Sequence, residues 1–393
     1  MRVGVFCLLL AYLLSQFYRA FLAVLAPVLQ ADLGASATDL ARASGLWFMA
    51  FAAMQIPVGW ALDRIGPRRV AAGLLGVAGG GGALAFAAAG SPLTMDIAMI
   101  LIGIGCAPVL MAGYYIFARV YPAALFATLA GAMVGTGTLG NLAASLPLAL
   151  AVEAFGWRGA LLVLGAVTVA VALALWVFVK DPPAVPEGSP KGSILDLLKL
   201  PALWLILPIS LVAYAPSAGF RGIWAGPYLA DVFGMNATGI GEVTLVIGAA
   251  MVVGSFAYGP MDRLLGSRKW VVIGGNVAAT ICLLYLWLQP AGSPWTAAAL
   301  LGLVAFFGAS YALIVAHGRS FFPAHLVGRG VTLLNLFMMG GVALHQFVTA
   351  RVYSASVGPN TAPEAPYSSL FLYYALILIA GSAIYLFSQD RTD

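Results

Sequence analysis

Gly59-Trp60-Ala61-Leu62-Asp63-Arg64-Ile65-Gly66-Pro67-Arg68-Arg69 is a short charged turn between two long apolar segments. A weaker copy, Gly259-Pro260-Met261-Asp262-Arg263-Leu264-Leu265-Gly266-Ser267-Arg268-Lys269, follows two hundred residues later. An acid set among arginines needs a reason of its own. A carboxylate at a helix end can accept from a neighbouring helix N-terminus and from nearby guanidinium groups, while the glycines allow a tight turn. Arg19 with Arg221 and Pro122 with Pro323 recur at almost the same offset, so the chain reads as two parallel repeats.

The segments around these turns define the class. The chain is 62% hydrophobic and 8% charged, with a mean hydropathy of +0.99, and its apolar stretches have membrane length from end to end. The reading is an all-α polytopic membrane protein with twelve transmembrane helices in two six-helix halves. The spans fall near residues 3–30, 43–62, 70–90, 94–117, 124–151, 158–179, 202–230, 240–261, 270–289, 296–317, 328–352 and 368–388. The first is too long for the apolar core of a cleaved signal peptide and is expected to be retained. Residues 181–199, rich in Pro, Gly and charge, read as a cytoplasmic linker between an N-terminal half, 1–180, and a C-terminal half, 200–393. Cys7, Cys106 and Cys282 lie in three different spans and read as buried thiols.

Charge sets the expected orientation. Of the 19 Lys and Arg, fourteen fall on the face carrying the N-terminus. Three (Arg42, Arg158 and Arg351) fall opposite, and two are intramembrane. The positive-inside rule then makes both termini cytoplasmic, with the protein in the cytoplasmic (inner) membrane. The net charge of +5 reports this topology, and no basic domain outside the bilayer argues for nucleic acid.

The loop at 59–69 resembles the signature loop of the major facilitator superfamily, G-x-L-a-D-R-x-G-r-R-r, and 259–269 resembles its second-half echo. Gly156-Trp157-Arg158 before the sixth span is also common there. The resemblance covers the whole chain. It implies a transporter, commonly monomeric, in which two six-helix halves rock about a central site. It also implies that Gly59, Asp63, Arg64, Gly66 and Arg68, with Asp262 and Arg263 in the echo, act as a gate that ties the halves together on the inside.

Arg19 and Arg221 point to the cargo. An arginine at membrane depth is costly, keeps its charge, and normally meets an anion or lines a cavity. Both sit about seventeen residues into their spans, near ~25 Å of helix rise, and are expected at similar depth in a central cavity. Paired guanidinium groups suit bidentate hydrogen bonding to a carboxylate or phosphate. The run Tyr18-Arg19 to Pro27 resembles the first helix of the organophosphate:phosphate antiporters and the anion:cation symporters. Phe220-Arg221-Gly222-Ile223-Trp224 to Pro227 resembles the seventh helix of the former, although the Arg-to-Pro spacing differs by a couple of residues.

Tyr18 and Trp224, each within a turn of an arginine, are the preferred neighbours. Tyr114 and His345 complete the candidate substrate set, His345 as ligand or proton site. Gln16, Gln55, Tyr115, Tyr214, Tyr311, Asn335 and Gln346 are further polar or aromatic residues inside spans. His317 and His325 are expected at an interface.

Asp96, Glu153, Asp231 and Glu242 all fall at outer span ends. No acid therefore awaits a cationic cargo at the midplane. Met95 and Met99 share a helical face, but no Cys or His pair joins them, so no metal or other cofactor is expected. No nucleophile, metal or nucleotide motif supports an enzyme. The expected function is secondary active transport of a small anionic solute, an organic carboxylate or a phosphate-type anion, with a proton or counter-anion as coupling ion. The alternative is a proton-driven exporter of hydrophobic or drug-like compounds.

Overall fold

The computed structural model describes residues 2–182, 194–323 and 327–391. His325 and most of the expected linker lie outside them. Among the described residues the structure is helical throughout. Ten helices have the length and hydropathy to cross a membrane, and a bent pair, Val3–Phe17 with Leu22–Leu33, makes one more. We label this pair α1, followed by α2 (Ala37–Arg64), α3 (Pro67–Ala87), α4 (Pro92–Val120), α5 (Ala123–Ala143) and α6 (Leu146–Phe178). After a single turn at Ile194–Leu197 come α7 (Pro201–Phe233), α8 (Ala237–Leu265), α9 (Arg268–Leu288), α10 (Pro294–Arg319), α11 (Arg329–Ser356) and α12 (Ala365–Tyr385). The chain forms two compact units, Met1–Ser189 and Pro190–Asp393.

The same packing diagram recurs in each unit. In the first, α1 packs on α5 and α6, α2 on α4, and α3 on α4 and α6. In the second, α7 packs on α11 and α12, α8 on α10, and α9 on α10 and α12. The local chemistry repeats with it. Gly34 and Gly234 end α1 and α7 in the left-handed conformation, at φ 64° and 65°, which a residue with a Cβ resists. Ser36 and Asn236 then cap α2 and α8 by accepting the N–H groups of Asp39 and Gly239.

Next to these caps, Asp32 accepts from Trp157 Nε1 at 2.7 Å and Arg158 Nη1 at 3.1 Å. Arg158 also reaches the Ala89 carbonyl. Gly156, at φ 71°, kinks α6 to allow it. This gives the Gly-Trp-Arg run a structural role: it staples the end of α1 to α6. Asp231 is held in the second half by the Tyr367 hydroxyl. Asp96 pairs with Arg42 at 2.8 Å, which accounts for an acid just inside a membrane span.

The charged turns are tied down by acids the sequence reading did not single out. Asp181, just past α6, accepts the Arg68 backbone N–H at 2.7 Å at the start of α3, with the Arg68 guanidinium 3.5 Å away. Gly66, at φ 99°, leaves the room, since a Cβ there would meet that carboxylate at 2.8 Å. Asp390, past α12, does the same for α9, accepting from Ser267 Oγ at 2.5 Å and from the N–H groups of Arg268 and Lys269. Both carboxylates sit where unpaired helix N–H groups and the positive dipole end favour an anion. Partial burial works against ionisation of Asp390, but the Ser267 bond and the two backbone N–H groups outweigh it and hold its carboxyl below the ordinary value of 3.8.

This packing and capping can be tested separately. A Cβ on Gly105 of α4 would fall on the Gly79 backbone of α3, whereas Gly131 faces open space. Gly105→Ala should therefore lower the melting temperature in detergent by several degrees, at about 1–3 kcal/mol for an overpacked contact, while Gly131→Ala leaves it unchanged. A depressed folded-state pKa contributes stability above the unfolded value and loses it as pH falls through the folded one. The stability advantage of wild type over Asp390→Ala should accordingly be full at neutral pH and shrink below about pH 4, as measured by thermal melts across pH.

Candidate functional site

Each arginine occupies an interruption in its helix. In α1 the two helical pieces bend by 52° across Tyr18–Phe21. There Arg19 N–H turns to the Gln16 carbonyl at 3.3 Å and Ala20 N–H to Phe17 at 3.0 Å, so the local pattern tightens to i→i−3. In α7 the helix breaks after Val212, four residues before Pro216, and the segment Phe220–Trp224 is π-helical just ahead of Pro227. Proline lacks an N–H and its ring collides with the carbonyl four residues back, which accounts for both distortions. Irregular backbone at membrane depth is tolerated where protein buries it or a cavity faces it, and broken helices mark transporter binding sites.

Arg19 is 8% exposed. Its guanidinium lies 4.8 Å from the Phe51 ring and 5.6 Å from the Trp47 ring, and these two rings stack on each other one turn apart on α2. Among the described residues it makes no ion pair, and its Nε meets no acceptor. Arg221 is 2% exposed and donates from Nη2 to the Tyr214 hydroxyl at 3.1 Å. Tyr214 in turn packs on Tyr311.

The aromatic neighbours expected from sequence sit differently. The Tyr18 hydroxyl bonds Thr168 of α6 at 2.8 Å, and the rings beneath Arg19 come from α2. Trp224 donates its indole N–H to Thr349 at 3.1 Å and packs on Tyr353. His345 places Nδ1 2.5 Å from the Tyr373 hydroxyl, and its Nε2 has no partner. Beside it Gln346, fully buried, leaves both ends of its amide unpaired. Tyr114 is half-buried on α4. His317, in the last turn of α10, is buried between the Tyr385 hydroxyl and the Gln389 carbonyl.

Within the charged turns, Asp63 accepts from Tyr115 at 3.0 Å and faces Arg119 at 4.0 Å, so α4 supplies its partners in this half. Arg64 lies over Trp60, and around Gly59 a Cβ would find only the Met111 methyl within 4 Å. Asp262 pairs with Arg268 at 3.1 Å, while Arg263 ends the last turn of α8. Trp47, Phe51, Asp181 and Asp390 were missed from sequence because each acts on a residue of another helix, at no fixed spacing.

The sequence model of the Major Facilitator Superfamily matches residues 8–345. A curated relative, the probable sulfoacetate transporter SauU of Cupriavidus necator, is 30% identical over 183 residues, 47% of this chain and 42% of that protein. The match thus spans less than half of the relative's length. Three solved structures share the fold. A bacterial homologue of the human lysosomal transporter Spinster, inward-facing and occupied, has a TM-score of 0.78 at 18% identity, covering 98% of this chain and 96% of that one. The nucleoside transporter NupG has a TM-score of 0.79 at 12% identity, covering 98% and 99%. The D-xylose-proton symporter has 0.75 at 14%, covering 98% and 97%. With this match across most of its length and this fold, the chain belongs to the Major Facilitator Superfamily and is a multi-pass membrane transporter rather than an enzyme.

Proposed function

We propose that this transporter moves a small organic anion across the cytoplasmic membrane by alternating access, with both termini cytoplasmic and with Arg19 and Arg221 as the charges that receive the solute. The observation that carries the reading is Arg19. It is a permanent cation at a helix break, buried on an aromatic platform, with no carboxylate partner among the described residues. A buried guanidinium left without a counter-charge is costly, so an arriving anion gains what the protein itself withholds. Arg221 supports the reading through the matching distortion of α7 in the other half.

The partial relative adds chemical direction, since sulfoacetate carries a carboxylate and a sulfonate and so suits two arginines. The uncompensated charge of Arg19 disfavours closure until an anion neutralises it, which couples movement to cargo. His345 and Gln346, with unpaired polar atoms, are the second half's candidates for a contact with the solute's uncharged part or for a coupling proton, and Tyr18, Tyr114 and Trp224 are candidate substrate neighbours within their own halves. The charged turns, Gly59 to Arg68 with Asp262 and Arg263, serve as the cytoplasmic gate.

The test is thermal stabilisation of purified protein by sulfoacetate, malonate, acetate and phosphate, since a ligand of the native state raises its melting temperature by mass action. At least one anion should stabilise the wild type. Arg19→Gln and Arg221→Gln should each weaken it by about 2–5 kcal/mol, roughly 30-fold or more, as expected when one partner of a buried charge pair is removed. Unchanged anion affinity in both variants would falsify the reading.

A further inference from the structure

The aromatic platform under Arg19 holds a second feature that neither the sequence motifs nor the family match assigns. Trp47 is 1% exposed, and its indole Nε1 has no hydrogen-bond partner. Arg19 Nε, in the same cluster, has none either. Both groups are donors only: neither indole nor guanidinium offers a lone pair to the other. The buried acceptor nearest in sequence, Gln16 Oε1, is itself unpartnered, and its amide nitrogen is committed to Tyr12 at 3.1 Å. It therefore satisfies neither donor.

Buried polar groups are paired in the great majority of cases, and an orphan donor costs its full desolvation penalty. Two orphan donors of one kind in one cluster define what is missing there. The complement is a group made of acceptors.

The surroundings say which side yields to admit it. Trp47 is fixed: α4 passes so close that a Cβ on Gly103 would meet the Trp47 carbonyl oxygen at 2.5 Å, and the ring is stacked on Phe51 and set edge-on to Phe48. Arg19, by contrast, lies in the four-residue break of α1, where the regular i→i−4 ladder is already interrupted. The side of this cluster that the regular helix ladder does not hold is therefore the broken segment of α1 that carries Arg19.

We propose that the Trp47 indole N–H is a binding and specificity-determining donor that acts with Arg19 on the anionic group of the solute. The site takes a carboxylate or sulfonate, whose oxygens only accept, and rejects the isosteric primary amide, whose NH2 would face two donors. The proposal rests on the anion reading of Arg19 and extends it from charge to hydrogen-bond polarity.

The test compares wild type, Trp47→Phe and Arg19→Gln for stabilisation and proteoliposome uptake with sulfoacetate, acetate, acetamide, malonate and phosphate as probes. Trp47→Phe keeps an aromatic ring beneath the guanidinium and removes the N–H together with part of the indole's bulk. It should bind the preferred anion ten- to a hundredfold more weakly, the range for a hydrogen bond to a charged group. Its melting temperature without ligand should fall by the cost of the vacated volume, so the anion-induced shift is read against the variant's own ligand-free value.

If Arg19→Gln loses the anion while Trp47→Phe binds it with unchanged affinity, the tryptophan proposal is overturned and the anion reading stands. If neither substitution changes binding, or no anion binds the wild type, both fall. Should Trp47→Phe fail to fold, the 15N spectrum of the wild-type indoles, nine in all, decides. One N–H signal should move downfield with the stabilising anion and stay still in Arg19→Gln. The absence of any such shift in the wild type overturns the proposal.

Discussion

A guanidinium that cannot discharge, carried on a helix surrounded by hydrocarbon, is the constraint around which each half is organised. It has to be turned away from lipid, and the chain does this by interrupting the helix at the arginine itself: a 52° bend at Arg19 and a π-helical turn at Arg221. Interruption frees backbone groups that lipid cannot satisfy, so both segments are enclosed by neighbouring helices. α5 and α6 pack on α1, and α11 and α12 on α7. Burial and charge coincide with helix distortion in both halves, and in α7 Pro216 and Pro227 impose the distortion itself.

The rest of each half is built to hold such an imperfect helix. Close glycine contacts such as Gly79 with Gly105 let helices approach backbone to backbone, which in a bilayer supplies the packing that the hydrophobic effect does not. At the membrane edges the repeated devices are electrostatic. Asp181 and Asp390 cap the third helix of their halves, and Asp32 and Asp231 pin the end of the first. These bonds stay within a half. Asp63 shows the same economy, resting on Tyr115 and Arg119 of its own half.

The proposed cargo chemistry rests on the donors left over. Asp32, Asp63, Asp96, Asp181, Asp231, Asp262 and Asp390 are all engaged with nearby donors. Arg19 and Trp47 keep donors in reserve. It is this difference between engaged carboxylates and a buried cation without one that carries the proposed anion reading.

The sequence alone determined the class and pointed to the repeat and to the candidate charged residues, because hydropathy, a duplicated turn and an arginine inside an apolar run are properties of the chain read in order. It led to Gly66, Asp63 and Arg19 by spacing and by the cost of charge in lipid. Tertiary structure decided the partners. The rings beneath Arg19 come from α2 and not from adjacent Tyr18, Trp224 turns to Thr349, His317 is buried against Tyr385, and the caps of α3 and α9 come from acids more than a hundred residues away. Side-chain direction across a helix–helix contact depends on crossing and rotation, which no spacing along one helix encodes.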